Sequence, residues 1–241
     1  MVSPTRTVSL GKHITLRVGG DAAAYLEVTS VDDIKAGIEY AATAALPWTV
    51  LGGGSNVLVP DEGYSGVVLH MKIAGVTFTD VSPTQVRLTA AAGEDFDAVV
   101  NQVVEAGLWG LENLSAIPGS VGATPIQNVG AYGVEVGDLI ESVLVYDTSI
   151  NDVRLIACDA CQFGYRDSFF KTAVGRQCIV LAVNFVLSRT ANPKLGYKDL
   201  AERFADTATP RLAEIRQAVY QFQVSHFPHV QMLLDIPTPA N

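Results

Sequence analysis

The chain has 241 residues, of which 49% are hydrophobic, so it is long enough to bury a substantial core in one or two domains. Its net charge of −9 and its isoelectric point of about 4.8 repel nucleic-acid phosphates and anionic lipids. We therefore expect no nucleic acid and no membrane surface as a partner. An anionic cofactor stays compatible with this charge, because backbone N–H groups can bind phosphate locally.

The N-terminal residues and the cysteines indicate the compartment. Residues 1–12 contain no apolar stretch of the signal-peptide type, and no apolar run reaches the length of a bilayer span, so we expect a cytoplasmic protein. Three cysteines fit a reducing environment. Cys158 and Cys161 form a C-x-x-C pair that could serve a metal or redox site, but nearby ligands are lacking. We favour free thiols beside a turn and predict no metal site.

The pattern over residues 1–77 predicts a first α+β unit. A helix is predicted after Ser30, with Asp33 in the position of a capping box. The buried face of this helix is predicted to hold four residues: Ile34, Ile38, Ala41 and Ala42. Strands are predicted at residues 25–29, 47–51, 57–59 and 67–69.

A second unit is predicted over residues 78–190 and a third region over residues 191–241. Asp95 is predicted to cap a helix that ends at Gly107 and has one apolar stripe: Phe96, Val99, Val100, Val103 and Val104. Strands are predicted at residues 86–92, 142–147, 153–157 and 179–187. In the third region a helix is predicted to begin at Thr209-Pro210, with four residues facing inward: Leu212, Ile215, Val219 and Phe222.

A run of glycines follows one predicted strand directly. Gly52, Gly53 and Gly54 precede Ser55 and Asn56. Glycines adopt backbone conformations closed to other residues and let N–H groups approach a ligand closely. A doubly wound dinucleotide fold would place a helix after such glycines, whereas a strand is predicted here. Composition alone leaves two alternatives open, a tight structural turn and a phosphate-binding loop.

Two further segments are unusual in composition. Residues 108–137 are rich in glycine, and within them residues 114–133 are apolar and nearly free of charge. Long irregular loops are usually functional or disordered, and this composition does not suit disorder; a buried connection with structural glycines is the alternative. Residues 163–168 place Arg166 between aromatic and acidic neighbours, where a surface ion pair is the simplest interpretation.

Together the three segments resemble one family. They read GGGSNVLV at residues 52–59, IPGSVGATPIQNVGAYGVE at 117–135 and FGYRDSFFK at 163–171. In order and spacing they are similar to the UDP-N-acetylenolpyruvoylglucosamine reductases, also called UDP-N-acetylmuramate dehydrogenases, and the resemblance covers roughly residues 10–224. It implies an α+β fold of the vanillyl-alcohol-oxidase (PCMH) type, in which two subdomains bind FAD.

The resemblance also implies a reaction in the synthesis of the peptidoglycan precursor. NADPH gives hydride to FAD, and the reduced flavin gives hydride to the enolpyruvyl ether of UDP-N-acetylglucosamine. A protein acid protonates the neighbouring carbon, which yields UDP-N-acetylmuramate. The expected small molecules are therefore FAD, NADPH and a UDP-sugar substrate, and the expected state is a monomer.

Site residues follow from the resemblance position by position. The expected cofactor-binding residues are Gly52, Gly53, Gly54, Ser55, Asn56, Ile117, Pro118, Gly119, Ser120, Gly122, Ala123 and Gln127. The expected substrate-binding residues are Tyr132, Tyr165, Tyr197 and, again, Gln127. Arg166 matches the catalytic arginine that steadies the substrate carboxylate and the enolate-like charge, a role that suits a permanently charged, bidentate guanidinium.

The match fails after Val224. Family members continue there with a further domain, which contains a serine proton donor and an assisting glutamate. In this sequence only Ser225 and Pro228 correspond to the expected segment, and His226 stands near the place of a substrate-binding lysine. We expect the C-terminal domain to be largely missing, whether through a natural divergent ending, a shifted reading frame or a cut. His226 and His229 are two histidines without further ligands, so no metal is predicted there.

Three hypotheses about function follow from this difference. The first is the family's reductase, without complete turnover because the serine and the glutamate have no counterpart. The alternative is a non-catalytic flavin-binding remnant of the family. The third is an unstable fragment, because an uncovered apolar surface favours aggregation.

Overall fold

Two β-sheets organise the chain, whose computed structural model describes residues 4–207 and 209–226. The first sheet belongs to the N-terminal part, which contains β1 (Thr5–Ser9), β2 (Asp21–Val28), α1 (Val31–Thr43), β3 (Trp48–Leu51) and β4 (Tyr64–Met71). Its strand order is β1-β2-β4-β3. Strands β2 and β3 both run parallel to β4, and β1 pairs antiparallel with β2.

The second sheet is entirely antiparallel. Its part of the chain contains β5 (Val76–Ser82), β6 (Gln85–Ala91), α2 (Phe96–Glu105), β7 (Gly130–Ala131), β8 (Val134–Glu135), β9 (Ile140–Asp147), β10 (Asp152–Ala157) and β11 (Cys178–Ser188). The five-stranded order is β10-β9-β11-β6-β5, and β7 and β8 form a separate hairpin. Two helices follow, α3 (Lys198–Arg203) and α4 (Leu212–His226).

One hydrophobic core joins the two sheets. Leu26 and Leu69 of the first sheet belong to the same buried cluster as Leu88 and Phe185 of the second. Helices α3 and α4 form a smaller cluster around Leu200 and several partners: Tyr132, Ile215, Ala218 and Val219. The predicted division at residues 77/78 and 190/191 stays a prediction; the strands of the second sheet begin at Val76.

Helix α1 begins as predicted but buries a different set of residues. Ser30 Oγ accepts a hydrogen bond from Asp33 N, whereas the Asp33 carboxylate accepts from Thr29 rather than closing the capping box on Ser30. Ala42 is exposed, so its predicted place on the buried face was wrong. Gly37 occupies that face instead, because a side chain there would collide with Leu69.

Helix α2 follows the predicted pattern. Asp95 caps its first turn by accepting a hydrogen bond from Ala98 N at 2.9 Å. Its apolar stripe is buried except for the half-buried Val104, and Gly107 follows the end of the helix with a φ of 70°. The positive φ explains why glycine stands at this helix end.

Some predicted elements differ from the structure. No strand forms at residues 57–59, which are irregular and carry the exposed side chains Val57 and Leu58. This segment leads into a turn in which Pro60 O accepts hydrogen bonds from Gly20 N and Gly63 N, so the chain bends before β4 begins. Helix α4 begins at Leu212 rather than at Thr209-Pro210. Strands β1 and β5, the β7–β8 hairpin and helix α3 were not predicted. Among the described helices, none has the length and apolar character needed to cross a membrane.

Candidate functional site

A cleft of about 1330 Å³ lies between the end of β3, the loop that follows α2, the β7–β8 hairpin and the end of α4. Most of its walls come from four places: residues 52–57 after β3, the segment 117–135, the turn at residues 165–166, and Tyr197 with the end of α4; Val50, Phe96, Asp138 and Lys171 complete the lining. Most of the lining is glycine, small polar or apolar. The ionisable side chains there are Glu135, Asp138, Tyr132, Tyr165, Arg166, Lys171, Tyr197 and His226.

The predicted glycine run and the predicted loop contact each other directly. A Cβ atom on Gly53 would lie 2.7 Å from Gly119 Cα, and one on Gly119 would lie 2.8 Å from Ser55 Oγ. Gly53 N donates to Ser120 Oγ at 3.2 Å. Gly119 also has a φ of 125°, which side chains rarely tolerate. These glycines are therefore needed for the close approach of two backbone segments.

A buried polar cluster lies beneath the glycine run. His70 of β4 pairs in register with Leu51, and its Nδ1 hydrogen-bonds with Tyr25 Oη. Tyr25 Oη also lies 3.3 Å from Nδ1 of His13, whose carbonyl group abuts Gly54. Burial, and then the charges of Lys72 and His13, lower the pKa of His70 to about 4, against a weaker opposing hydrogen bond with the backbone of Gly52. His70 is thus neutral near pH 7.

Residues 117–123 are fixed by the start of α2. Phe96 N donates to Gly119 O at 3.0 Å, and Val121 N donates to Glu94 O at 2.9 Å. Across the cleft floor, Asn56 Nδ2 donates to Gln127 Oε1 at 2.8 Å. The loop is therefore held by main-chain bonds on one side and by the glycine run on the other.

Gly122 is the exception among the predicted cofactor-binding residues, because it is absent from the cleft lining. Its N–H donates to Ala92 O, and a Cβ there would lie 2.6 Å from Ala92 Cβ. Gly122 thus packs the loop against Ala92, which directly follows β6, and its role in cofactor binding stays a prediction. The other predicted site residues all line the cleft, namely Gly52, Gly53, Gly54, Ser55, Asn56, Ile117, Pro118, Gly119, Ser120, Ala123, Gln127, Tyr132, Tyr165, Arg166 and Tyr197.

Arg166 lies at the tip of a tight turn. Gly164 and Asp167 exchange two backbone hydrogen bonds, and Arg166 between them has a φ of 54°. Its Nη2 donates to Gly130 O at 2.9 Å, and Lys171 Nζ donates to its carbonyl group. No carboxylate pairs with its guanidinium among the described residues, so the expected surface ion pair is wrong. The guanidinium is therefore available to an anion in the cleft.

Asn128 is a positioning residue that was not predicted for the site. It is 2% exposed, and its Nδ2 donates to Glu135 Oε2 at 2.6 Å and to Gly164 O at 3.0 Å. Its Oδ1 accepts from Gly137 N at 2.9 Å. Asn128 thus joins the β7–β8 hairpin to the turn that carries Arg166. Asn128 has a φ of 45°, which asparagine tolerates better than most residues. This backbone conformation is what marks the position, and it cannot be read from the sequence.

Two tyrosines meet on the side of α4. The rings of Tyr132 and Tyr197 are edge-to-face with centroids 5.2 Å apart, and the ring of Phe222 lies 6.1 Å from Tyr132. Burial, and then the nearby Asp199 and Tyr197, raise the pKa of Tyr132 to about 12. Its phenol is therefore neutral near pH 7 and can donate a hydrogen bond. Tyr165 and Tyr197 are more open, at 84% and 46% exposure.

Among the described residues, the thiols and the histidines form no cluster that could be a metal site. Cys158, Cys161 and Cys178 are all free thiols. Over residues 4–207 and 209–226, no group of three or more histidine, cysteine or carboxylate side chains could hold a metal ion. His226 lines the cleft at the end of α4, and His229 lies outside the described residues.

Comparisons with known proteins agree on one relationship. A family described as "FAD binding domain" matches residues 22–151. The UDP-N-acetylenolpyruvoylglucosamine reductase of Thermobifida fusca is 39% identical over 224 residues, which cover 91% of this chain and 62% of that protein. The chain therefore spans less than two thirds of the length of this curated relative.

Two solved structures have a similar fold. The crystal structure of the UDP-N-acetylenolpyruvylglucosamine reductase from Thermus caldophilus matches with a TM-score of 0.65 and 30% identity, over 90% of this chain and 70% of that one. A solvent-stable cholesterol oxidase matches with a TM-score of 0.50 and 13% identity, over 78% of this chain and 38% of that one. At that identity the second match concerns the fold alone.

Proposed function

The chain belongs to the family of UDP-N-acetylenolpyruvoylglucosamine reductases, and on this premise we propose that its cleft binds FAD and serves the NADPH-dependent reduction of UDP-N-acetylglucosamine enolpyruvate. The predicted fold, an α+β fold of the FAD-binding, vanillyl-alcohol-oxidase type, is confirmed. We propose further that the protein acts in the cytoplasm as a monomer, on a UDP-sugar and without a nucleic-acid partner.

The residues of the cleft fit a flavin dinucleotide. The cleft has a volume of about 1330 Å³, and two backbone segments meet in it where any Cβ atom at Gly53 or Gly119 would collide. Backbone N–H groups at such a place can bind a pyrophosphate despite the negative net charge. The close contact between these two segments is the observation that carries the proposal. We call residues 52–57 and 117–123 the cofactor side of the cleft.

Another part of the cleft lining fits an anionic substrate. We call residues 130–135, the turn at residues 165–166 and Tyr197 the substrate side. Arg166 offers a guanidinium that can bind a carboxylate in bidentate fashion and stabilise negative charge that develops beside it. Tyr132 remains protonated near pH 7 because its pKa is about 12, so it can donate a hydrogen bond without adding charge.

Bound FAD would supply the hydride transfer from NADPH to the enolpyruvyl group. The residues of this chain then have three tasks. The cofactor side would hold the dinucleotide through main-chain N–H groups, and Ser120 is fixed there by its hydrogen bond from Gly53 N. Arg166 orients the substrate carboxylate, and its turn is held in place by Asn128. These contacts place the reacting groups, which is the protein's main contribution to a cofactor reaction.

An anaerobic stopped-flow experiment tests the proposal. The purified protein is loaded with FAD, reduced with NADPH and mixed with UDP-N-acetylglucosamine enolpyruvate, while flavin absorbance and product are followed. Reoxidation that depends on this substrate and yields UDP-N-acetylmuramate supports the reductase. If the flavin is reduced but does not react with the substrate, the reductase hypothesis is rejected in favour of the alternative, a non-catalytic flavin-binding protein.

A further inference from the structure

A buried ion pair fastens α4 to α2. Arg216 of α4 makes a bidentate contact with the Asp97 carboxylate, with Nη1–Oδ1 and Nη2–Oδ2 distances of 2.7 and 3.0 Å. The two side chains are only 14% and 12% exposed. Arg216 Nε also donates to Asn101 Oδ1 at 3.1 Å. The guanidinium thus uses three of its donors on a single helix.

The same carboxylate holds the beginning of the cofactor side. Asp97 Oδ1 accepts a hydrogen bond from Ala116 N at 2.6 Å. Ala116 is fully buried and has a φ of 59°, a conformation that a residue with a side chain adopts at a cost. Ile117, which follows it, lines the cleft. The ion pair therefore contacts, through Asp97, the residue directly before segment 117–123 of the cofactor side.

Helix α4 reaches the cleft at its other end. Gln223 and His226 line the cleft, whereas Arg216, about two turns earlier, does not. The hydrogen-bonded series Arg216–Asp97–Ala116 consequently connects α4 with the loop that follows α2. An ion pair removed from water often adds little net stability compared with apolar residues of similar size. The shared carboxylate instead links the position of α4 to the backbone N–H of Ala116.

We propose that Arg216 is a positioning residue for FAD binding. Through Asp97 it orients residues 116–120, and it thereby couples the docking of α4 to the binding of FAD at the cofactor side. The inference rests on the proposed function. Because coupling between two sites is reciprocal, FAD binding should also protect α4. Without Arg216, Asp97 keeps one hydrogen bond but loses its neutralising partner and its fixed orientation.

Three variants and two measurements test this inference. Arg216→Met removes the charge and keeps the apolar stem, Arg216→Lys keeps the charge, and Asp97→Asn keeps an oxygen that can accept from Ala116 N. The control is Arg87→Met, which removes another bidentate pair, Arg87–Glu141, whose two residues are outside the cleft lining. That pair is more exposed, so its loss serves as the comparison for a purely surface effect.

The first measurement is backbone amide exchange at residues 116–121 in the FAD-free protein. The second is the FAD dissociation constant at a temperature well below the melting point of each variant. We expect Arg216→Met to accelerate exchange at these residues and to raise the dissociation constant about tenfold, within the usual range of coupling between sites. Arg216→Lys should restore part of both effects, and Arg87→Met should change neither.

The inference is overturned if Arg216→Met lowers only the melting temperature and leaves exchange and FAD affinity unchanged. Should this variant fail to fold, Arg216→Lys and Asp97→Asn decide in its place: weakened FAD binding by folded protein supports the coupling, and unchanged binding overturns it. A wild-type protein that does not bind FAD would refute the proposed function. The amide-exchange comparison would still decide whether Arg216 orders the loop.

Discussion

The cofactor side and the substrate side of the cleft differ in whether backbone or side-chain groups form them. The cofactor side is built mainly of backbone: its glycines are in direct contact, Phe96 N donates to Gly119 O, and Val121 N donates to Glu94 O on the segment before α2. The substrate side is made of side chains, and two of its tyrosines, Tyr165 and Tyr197, are largely open to solvent. The cofactor side is fixed by glycine packing that leaves no room for a side chain. The substrate side is fixed by a few hydrogen bonds beneath exposed side chains.

This difference predicts different responses to substitution. Adding atoms should damage the cofactor side, because its geometry depends on the absence of side chains. Removing atoms should damage the substrate side, because its geometry depends on particular donors and acceptors. The following predictions test the contrast, beginning with the largest expected effect.

Gly53→Ala should disable the cofactor side. The new Cβ would lie 2.7 Å from Gly119 Cα, a backbone atom that cannot rotate aside. Overpacking typically costs about 1–3 kcal/mol, and we expect the upper end here, with FAD affinity reduced at least about 100-fold. The control is Gly196→Ala, because no atom lies within 4 Å of a Cβ at Gly196. Flavin-fluorescence titrations compare the FAD affinities of the two variants. Equal affinities would contradict the predicted difference between the two sides of the cleft.

Acid should destabilise the protein through the cluster beneath the glycine run. The pKa of His70 is lowered from 6.5 to about 4 in the folded protein, so the unfolded chain binds one more proton between these pH values. The free energy of unfolding should therefore decrease as the pH falls from 6.5 to 4, by about 3 kcal/mol from this residue. Urea denaturation of wild type and His70→Gln at pH 7 and pH 4.5 measures this. A pH dependence that is the same in both proteins would exclude His70 as its source.

Asn128→Ala should loosen the substrate side. It removes three hydrogen bonds, to Glu135, Gly164 and Gly137, in a buried place. The loss should cost about 2 kcal/mol of stability and should also increase the mobility of the turn that carries Arg166. Asn184→Ala is the control, since it removes hydrogen bonds with Ser142 and Thr89 within the second sheet, away from the cleft. The rate of amide exchange at residues 163–168 should rise only in Asn128→Ala. If it rises in neither variant, Asn128 does not hold the turn that carries Arg166.

Arg166→Ala should have the smallest effect on the protein itself. The side chain is exposed and donates one hydrogen bond to Gly130 O, so stability should change by less than about 0.5 kcal/mol. Binding of an anionic substrate should weaken about tenfold, because a charged hydrogen-bond donor is lost. Changes in the flavin spectrum upon titration with the enolpyruvyl substrate provide the measurement. Arg166→Lys should retain part of the affinity, and wild-type affinity in Arg166→Ala would exclude the arginine from the site.

The same contrast explains which parts were predictable from the sequence. The capped helix α2 follows from local periodicity and from Asp95 and Gly107, and four of the five strands of the second sheet follow from their sequence pattern; the structure confirms them. The glycine segments were identified because a backbone-built site needs a characteristic composition. Gly122 shows a second use of glycine in such a segment: its N–H donates to Ala92 O, and a Cβ atom there would lie 2.6 Å from Ala92 Cβ.

The parts that escaped prediction depend on tertiary contacts. The strand expected at residues 57–59 fails because hydrogen bonds from Gly20 and Gly63 to Pro60 bend the chain there. The role of Asn128 depends on a φ of 45° and on partners up to 36 residues away. The ion pair between Asp97 and Arg216 joins residues 119 positions apart, which no local pattern reveals.

Titration of FAD into the flavin-free protein tests the central claim most directly, that the cofactor side is a flavin site built from backbone. Wild type should bind one FAD per chain with a shifted visible spectrum and changed flavin fluorescence. Gly53→Ala should lose this binding, while Gly196→Ala and Arg166→Ala should retain it. Wild-type protein that is folded but leaves the FAD spectrum unchanged, or Gly53→Ala protein that binds FAD as wild type does, would contradict the account.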